Sequence, residues 1–388
     1  MKEIYLDNSA STRISEEALE KYNEISRAIY GNPSSLHTMG FLAEKELRAA
    51  RETLLSSLSA KNSSVVFTAS GSEANNLAIL GRAFSKERYR RGAKIITTKG
   101  EHASVSATLS HLSELGFKVV SIPTNGGELD FEALAAELDS SVILITMMMV
   151  NNETGALYDV ARVSKLMKMK APDAFLHVDA TQSFMKLKFT KQSIGADMIS
   201  VSSHKIEGPK GVGALIVDEK VLTARGLAPI IYGGGQEMGL RSGTENVPAI
   251  AAFAEAIKIA DKELSQNYEK MNALRSYFIE RLKENGLSEI SPTLPARHAP
   301  HIINITLPKI KSETMLHYLS SLGIYISSGS ACSSNSKDLS GALLAYGRNE
   351  AEADSSLRIS FGKRNTKDDV DALCEALKSG LLKLARIK

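Results

Sequence analysis

The stretch best suited to chemistry is Ser200–Gly213, with the sequence SVSSHKIEGPKGVG, in which His204 and Lys205 follow a run of strand-forming residues. The glycines and the proline behind this pair allow the backbone to come close to a ligand. A lysine fixed at such a position can lose its hydration until its amine is able to attack a carbonyl carbon. By itself, a lysine next to a strand end is most often a solvated charge. The functional interpretation therefore depends on what surrounds Lys205.

Two other segments place polar groups just after predicted strands. Gly71 and Ser72 follow the predicted strand 65–68 and begin a helix, where backbone N–H groups and a hydroxyl can form an anion site. An ordinary serine helix cap is the simpler explanation of the same pattern. Asp179 closes the predicted strand 175–179, and a carboxylate at the end of an apolar strand is paired or functional. A structural acid that caps the next turn explains it equally well.

Three more polar clusters stand beside predicted elements. His102 comes after the predicted strand 94–97, and Asn151 opens the sequence NNETG after the predicted strand 142–149. Thr244 lies in RSGTEN, shortly after a run of three glycines that allows close approach of the backbone. Each cluster has a plain alternative as a capping residue or a loop, so none of them is decisive alone.

The chain has two cysteines, which excludes a disulfide framework and a four-cysteine metal site. Cys332 lies in the small, polar sequence SSGSACSS, whereas buried cysteines usually have apolar neighbours. In a flexible exposed loop it would be an available nucleophile once ionised. Cys374 lies in the helical run 370–377 and is expected to be a packed thiol.

Together these residues point to the cofactor pyridoxal 5′-phosphate. A lysine amine, a carboxylate after a strand and an anion site at a helix start match the aldehyde, the ring nitrogen and the phosphate of that cofactor. An exposed cysteine adds a nucleophile to the same chain. The combination is more informative than any one of its members.

The order of the predicted elements indicates how these residues are positioned. Strand-like runs alternate with helical segments, and several strands are continuous apolar runs, as expected when helices cover both faces of a sheet. The predicted strands are 65–68, 94–97, 118–122, 142–149, 175–179, 198–202 and 212–217. We therefore expect an α/β domain with a mostly parallel seven-stranded sheet. Ligands of such sheets bind at the carboxyl ends of the strands, where polar clusters lie.

The 388 residues suit two or three domains. We expect an N-terminal arm at 1–15 that joins the small domain, a large cofactor-binding domain at 16–250, and a long connecting helix with a small α+β domain at 251–388. The net charge of +3 is spread along the chain, which suggests no direct binding of nucleic acid. The first residues lack the apolar core of a signal peptide, and the most apolar run, 142–150, is too short to span a membrane. A soluble, cytoplasmic protein is expected.

The sequence closely resembles the cysteine desulfurases of the NifS/IscS-like branch, which are fold-type-I enzymes that depend on pyridoxal phosphate. The resemblance covers essentially the whole chain and rests on motifs in the same order: YLDNSAST, GNPSSLH, FTASGSEANNLAI, EHASV, VNNETG, HVDATQS, SSHKIEGPKGVGAL, GGGQEMGLRSGTENV, SSGSACS and SSLRISFG. It implies an enzyme that takes sulfur from L-cysteine and works as a homodimer.

The resemblance also implies a role for each matching residue. Lys205 would carry the cofactor as a Schiff base, Asp179 would keep its pyridine nitrogen protonated, and Gln182 would bond its ring hydroxyl. His102 would stack over the ring, and Asn151 would lie by the ring and the substrate. The implied phosphate contacts are Gly71, Ser72, Ser202 and His204.

Other implied residues concern the substrate and the second subunit. Thr244 would reach the phosphate from a second subunit. Arg358 would bind the substrate carboxylate as a bidentate fork, and Asn32 is expected to border the same pocket. The catalytic residues implied are Lys205, Cys332 and His102.

The implied reaction leaves a persulfide on Cys332 as alanine departs, and the sulfur then passes to an acceptor. That acceptor would be an iron–sulfur scaffold protein or a carrier for tRNA thiolation. No resident metal is implied, although Cys332 would be able to share an iron–sulfur cluster transiently with a scaffold. Alternatives are a selenocysteine lyase or an aminotransferase of the same fold, and a scaffold partner of low activity. Cys332 argues against an aminotransferase, because transamination has no use for that thiol.

Overall fold

A computed structural model describes residues 3–85, 93–328 and 339–384 of the chain. The strands within these residues are β1 (Ile4–Tyr5), β2 (Ser63–Thr68), β3 (Lys94–Thr98), β4 (Lys118–Ile122), β5 (Val142–Met148), β6 (Phe175–Asp179), β7 (Met198–Ser202), β8 (Gly213–Asp218), β9 (Ser291–Thr293), β10 (Ile302–Thr306), β11 (Ile324–Tyr325), β12 (Ser327–Ser328) and β13 (Ser356–Ser360). The helices are α1 (Glu16–Ala28), α2 (Thr38–Ser57), α3 (Gly71–Ala83), α4 (Ala103–Glu114), α5 (Phe131–Glu137), α6 (Val160–Lys170), α7 (Lys191–Ile194), α8 (Glu219–Thr223), α9 (Val247–Glu284), α10 (Ser312–Ser321), α11 (Gly341–Tyr346), α12 (Glu350–Asp354) and α13 (Lys367–Leu384).

Seven of these strands form the central sheet of the described chain, in the order β2-β8-β7-β6-β5-β3-β4. The strands from β7 to β4 in that order are parallel neighbours, whereas β8 runs antiparallel to both β7 and β2. The prediction of a mostly parallel seven-stranded sheet is confirmed. β5 and β7 are buried along their whole length, because helices cover both faces of the sheet.

Alternate residues along the strands pack on opposite faces of this sheet. Val65 and Phe67 belong to one core with α1, α2, α6 and the first half of α9, and Val66 between them belongs to another core with α3 and α4. This alternation is the period of two that a pleated strand imposes. The loops at the carboxyl ends of the strands are therefore anchored to a sheet that is packed on both sides.

The 38-residue helix α9 connects the sheet to a smaller C-terminal domain. Its buried residues from Val247 to Ile257 pack with the sheet, and those from Met271 to Leu282 pack in a third core with β10, β13, α10 and α13. That third core also contains Leu6 from the N-terminal segment. There β9, β10, β13 and β12 form an antiparallel sheet, and β1 pairs with β11 in parallel.

Short elements account for the differences from the predicted pattern. β1, β9 and β12 have two or three residues, and α7, α8 and α12 have four or five. Elements of this length are too short to leave a recognisable period in a sequence. Within the described residues, no helix combines the length and the apolar composition that a membrane span requires.

Candidate active site

A cavity of about 270 Å³ lies where the carboxyl ends of β5, β6 and β7 meet the start of α3 and the N-terminal segment. It brings together most of the predicted site residues, which come from distant parts of the chain: Gly71, Ser72, His102, Asp179, Gln182, Ser202, His204, Lys205 and Arg358. It is also lined by residues that the sequence analysis did not single out, among them Ser9, Ala10, Asn75, Ser104 and Asn152.

Lys205 ends the short 3₁₀ turn that begins at Ser203, directly after β7. Its Nζ donates hydrogen bonds to the backbone carbonyl oxygens of Ser9 and Ala10, at 2.6 Å and 2.9 Å. Gly208 lets the chain turn back here, because a Cβ at that position would lie 2.1 Å from Ser203 Oγ. The fold thus directs an amine into the cavity from a fixed backbone.

Asp179 ends β6 and is buried at the wall of the cavity. Its Oδ2 accepts a hydrogen bond from the side-chain amide of Asn75 at 2.8 Å, and its Oδ1 accepts one from the backbone N–H of Thr181 at 2.9 Å. Donors to both oxygens hold the carboxylate in one orientation at the wall of the cavity.

Three histidines in and near the cavity are held in the neutral form by burial. Burial lowers the pKa of His102 and of His177, and it lowers the pKa of His204 to about 4. His102 caps α4, and its Nδ1 accepts the backbone N–H of Ser104 at 3.1 Å. A neutral ring that accepts at Nδ1 carries its proton on Nε2. His177 bonds through both ring nitrogens to buried hydroxyl groups.

The start of α3 forms an anion cradle. Ser70 caps this helix, and its Oγ accepts a backbone N–H of the first turn at 3.1 Å, so the capping residue is Ser70 and not Ser72. A Cβ on Gly71 would lie 3.1 Å from Ser202 Cβ and 3.2 Å from Thr181 Oγ1. Glycine there lets the helix N–H groups and two hydroxyl residues face one small space, which suits a phosphate group.

Arg358 lies in β13 with its side chain buried. Its Nη1 donates to the carbonyl oxygen of Asn152 at 3.0 Å, and its Nη2 donates to Asp7 Oδ1 at 2.9 Å and to Ser327 Oγ at 3.1 Å. Its Nε has no hydrogen-bond partner among the described residues. The guanidinium is therefore placed at the cavity by groups from both ends of the chain, and a carboxylate ligand would share it with Asp7.

Two predicted residues take other positions. Asn151 is buried in its own loop, where its side-chain amide donates to the Gly100 carbonyl oxygen at 3.1 Å, and the adjacent Asn152 lines the cavity. Asn32 is exposed in the turn before α2, where its Oδ1 accepts a backbone N–H at 2.9 Å. The geometry thus favours Asn152 over Asn151 as the asparagine of the site, and it does not bring Asn32 to the cavity.

Thr244 and Cys332 complete the predicted set. Thr244 is exposed in the segment before α9 and lines a separate pocket with Glu237 and Arg241. Its predicted contact belongs to a second subunit, so a single chain does not bring it to the cavity. Cys332 lies outside the described residues.

The chain matches the family model described as aminotransferase class-V over residues 4–373. The cysteine desulfurase IscS 1 of Archaeoglobus fulgidus is 35% identical over 374 residues, which make up 96% of this chain and 95% of that protein. A solved structure named NifS-like protein is similar with a TM-score of 0.90 at 34% identity, covering 98% of this chain and 100% of that one. A second, named SspA in complex with cysteine, has a TM-score of 0.78 at 31% identity and covers 94% of this chain and 100% of its own.

With the sheet order and the polar cavity described above, these matches assign the chain to the class-V aminotransferase family. Within that family it belongs with the NifS/IscS-like cysteine desulfurases, since the identity extends over nearly its whole length. Enzymes of this family depend on pyridoxal phosphate.

Proposed function

We propose that the chain is a cysteine desulfurase, which moves the sulfur of L-cysteine onto the thiol of Cys332 and releases L-alanine. The observation that carries this proposal is the meeting of an amine, a carboxylate and an anion cradle in one cavity, from Lys205, Asp179 and Gly71. The family relation supports the same chemistry.

Pyridoxal 5′-phosphate fits the donors and acceptors of this cavity. Lys205 supplies an amine for its aldehyde, and the Asp179 carboxylate suits a protonated ring nitrogen. When bound, the cofactor withdraws electrons from the α-carbon of an amino-acid substrate. The space around Gly71, where a Cβ would be crowded, suits the phosphate, with contacts from Gly71, Ser72, Ser202 and His204.

Around that centre, the groups of the chain bind the substrate and move protons. Arg358 would bind the substrate carboxylate, for which a guanidinium is a bidentate partner, by exchanging part of its present bonds to Asp7 and Ser327. His102 holds a proton on Nε2 that it can donate, and Gln182 faces the same cavity. Lys205 takes the proton from the substrate α-carbon and returns it, because its amine is a base directed into the cavity.

The sulfur-transfer step uses Cys332. Its thiolate attacks the sulfur of the substrate, so that an S–S bond forms while the carbon–sulfur bond of the substrate breaks. The electron pair of the broken bond stays with the carbon, which takes up a proton. Cysteine and one thiol thus give alanine and one persulfide, without an external oxidant.

The proposal includes a homodimer, a sulfur acceptor and a location. Large apolar side chains are exposed in two segments, as is typical of an interface: Tyr30, Leu36, Phe41, Tyr232 and Met238. In a homodimer, the exposed Thr244 would be available to the phosphate site of the second subunit.

We propose an iron–sulfur scaffold protein or a tRNA-thiolation carrier as the sulfur acceptor. We propose the cytoplasm, where thiols remain reduced, as the location of the protein.

The test compares the purified protein with Cys332→Ala, after incubation with pyridoxal phosphate and L-cysteine. We expect alanine release and a persulfide located by mass spectrometry at Cys332, and a loss of both by more than about 100-fold in the variant. Cys374→Ala is the matched control, because that thiol is buried in the third core and burial raises its pKa to about 12. Alanine formed from cysteine at the normal rate by Cys332→Ala would contradict the proposal, and transamination in place of desulfuration would favour the aminotransferase alternative.

A further inference from the structure

A second lysine, Lys186, lies behind the cavity and is not used by the chemistry above. It is buried, and it lines a smaller neighbouring cavity of about 70 Å³ that Lys205 also lines. Its Nζ donates a hydrogen bond to Gln182 Oε1 at 3.4 Å, across the helical turn that follows β6. A buried lysine requires an explanation, because lysine is almost never fully buried without a partner.

The surroundings of Lys186 are basic. Burial, together with the charges of Lys205 and Arg358, lowers the pKa of Lys186 to about 7. The ring nitrogens of buried His301 have no hydrogen-bond partner among the described residues, and Lys186 and Arg358 contribute to the lowering of the pKa of that histidine. Lys186 has no carboxylate partner in an ion pair within the part of the chain that the structure describes, so its position calls for a role other than stability.

That role concerns the orientation of the Gln182 side chain. Its Nε2 donates to the carbonyl oxygen of Ser9 at 2.9 Å, while its Oε1 accepts from Lys186. Below its pKa, Lys186 is an ammonium and therefore a donor only, and a carbonyl oxygen is an acceptor only, so the two partners then allow one orientation of the carboxamide. The same Ser9 oxygen also accepts the bond from Lys205, so it is shared between two donors.

We infer that Lys186 is a positioning residue, which holds the Gln182 carboxamide with its oxygen towards Lys186 and its N–H donors towards Ser9 and the cavity. The inference rests on the proposed function, because the group that the oriented amide would bind is an anionic ring oxygen of the cofactor. An N–H donor stabilises such an oxygen, whereas an amide turned the other way would oppose it with a carbonyl oxygen. Lys186 acts through Gln182 and does not line the larger cavity.

The test uses Lys186→Met, which keeps the length of the side chain and removes its donor and charge, with Lys188→Met at an exposed position as the control. At a fixed pH below the pKa of Lys186, where it is an ammonium, we expect the cofactor to dissociate about 5- to 10-fold faster from Lys186→Met, the size of effect of one lost hydrogen bond of this kind. The absorption spectrum should show a smaller fraction of the bound cofactor with an ionised ring oxygen. The melting temperature should not fall, because a desolvated cation has been removed.

A double-mutant cycle separates positioning from packing. In a Gln182→Ala background, Lys186→Met should change neither the spectrum nor the dissociation rate any further. Equal effects in both backgrounds, or an unchanged spectrum and rate in Lys186→Met alone, would overturn the inference. These outcomes are distinct from a failure of the proposed function, in which the unsubstituted protein would neither bind the cofactor nor form alanine.

Discussion

Glu101, next to His102 after β3, is an acid whose protonation is controlled by its surroundings. One oxygen accepts the backbone N–H of Met148 at 2.9 Å, and the other bonds the hydroxyl of Thr98. Burial, together with the negative charge of Asp179, raises the pKa of Glu101 to about 8. The carboxyl therefore keeps its proton at neutral pH, so Glu101 does not oppose the charge of Asp179.

Stability should depend on pH through this group. The unfolded chain loses the proton near the ordinary value of 4.5, whereas the folded chain keeps it to about 8, so the contribution of Glu101 to stability is lost as the pH rises through that window. Glu101→Gln resembles the protonated acid and should make the free energy of unfolding fall less steeply with pH. Denaturant titrations across that pH range check this, with Glu114→Gln at an exposed position of α4 as the control. Equal slopes for Glu101→Gln and the unsubstituted chain would contradict the assignment.

At the residue scale, the sequence predicts residues whose side-chain chemistry and place after a strand mark them. It misses residues that contribute a backbone group, or that only the path of a loop brings to the cavity. Lys205, Asp179 and Gly71 follow buried strands, so their place at the sheet edge could be predicted. Ser9 contributes a carbonyl oxygen, which every residue has, so no side-chain pattern marks it. Asn151 and Asn152 are chemically identical neighbours, and only the path of the loop decides which of them faces the cavity.

At the scale of elements, one buried acid joins α2, β2 and the segment that leads to α9. Glu237 accepts the backbone N–H of Phe67 at 2.8 Å and two hydrogen bonds from Arg51 of α2, at 2.8 Å and 2.6 Å. Arg51 also lies 4.9 Å from the centre of the Phe67 ring. The backbone of Glu237 has a φ of +50°, a conformation that residues other than glycine disfavour. The contacts of Glu237 therefore hold this turn in an unfavourable backbone geometry.

Arg51→Met should be strongly destabilising, because it leaves the Glu237 carboxylate buried without its charged partner. We expect a loss of about 3 kcal/mol in the free energy of unfolding. Arg48→Met in the same helix is the matched control, since its ion pair with Glu44 is exposed and should contribute almost nothing. Denaturant titrations measure both variants, and adding Glu237→Gln to Arg51→Met should recover part of the loss. Similar stabilities for the Arg51 and Arg48 variants would show that Glu237 does not depend on its partner.

Elements were predictable according to their length and burial. The sequence places the strands of the central sheet within two residues of their bounds, and the clearest of them, β5, is a continuous apolar run because both faces are covered. β1 and β12 have two residues each and exist because β11 and β13 offer partners distant in sequence. Such pairings depend on tertiary structure and leave no local pattern.

At the scale of the whole molecule, Lys363 links the catalytic turn to the C-terminal domain. Its Nζ lies 3.1 Å from Glu207, two residues after Lys205, and 3.1 Å from Glu263 of α9. Burial opposes the charge of Lys363, but the two carboxylates outweigh it and raise the pKa of the ammonium. This cluster ties the turn that carries Lys205 to the domain that carries Arg358.

Lys363→Met should weaken that link, because two carboxylates would then face each other without a cation. We expect a loss of about 1 kcal/mol in the free energy of unfolding, reduced from the value for a buried pair because all three groups are partly exposed. The loss should shrink at about 1 M salt, where charges are screened. Lys311→Met, which breaks an exposed pair with Asp354, is the control for denaturant titrations. A loss that does not respond to salt would assign the effect to packing and not to charge.

The N-terminal segment has a consequence for how the site is completed during synthesis. Asp7 bonds Arg358 and the Ser9 backbone N–H bonds Ser360, and each of these pairs is separated by 351 positions. The segment that carries Asp7 and Ser9 must therefore wait for β13 to be synthesised before either is in place. Contacts so distant along the chain form late in folding, since the intervening loop must first be ordered. A nascent chain that ends before β13 should thus be unable to hold the cofactor, whatever the state of the sheet.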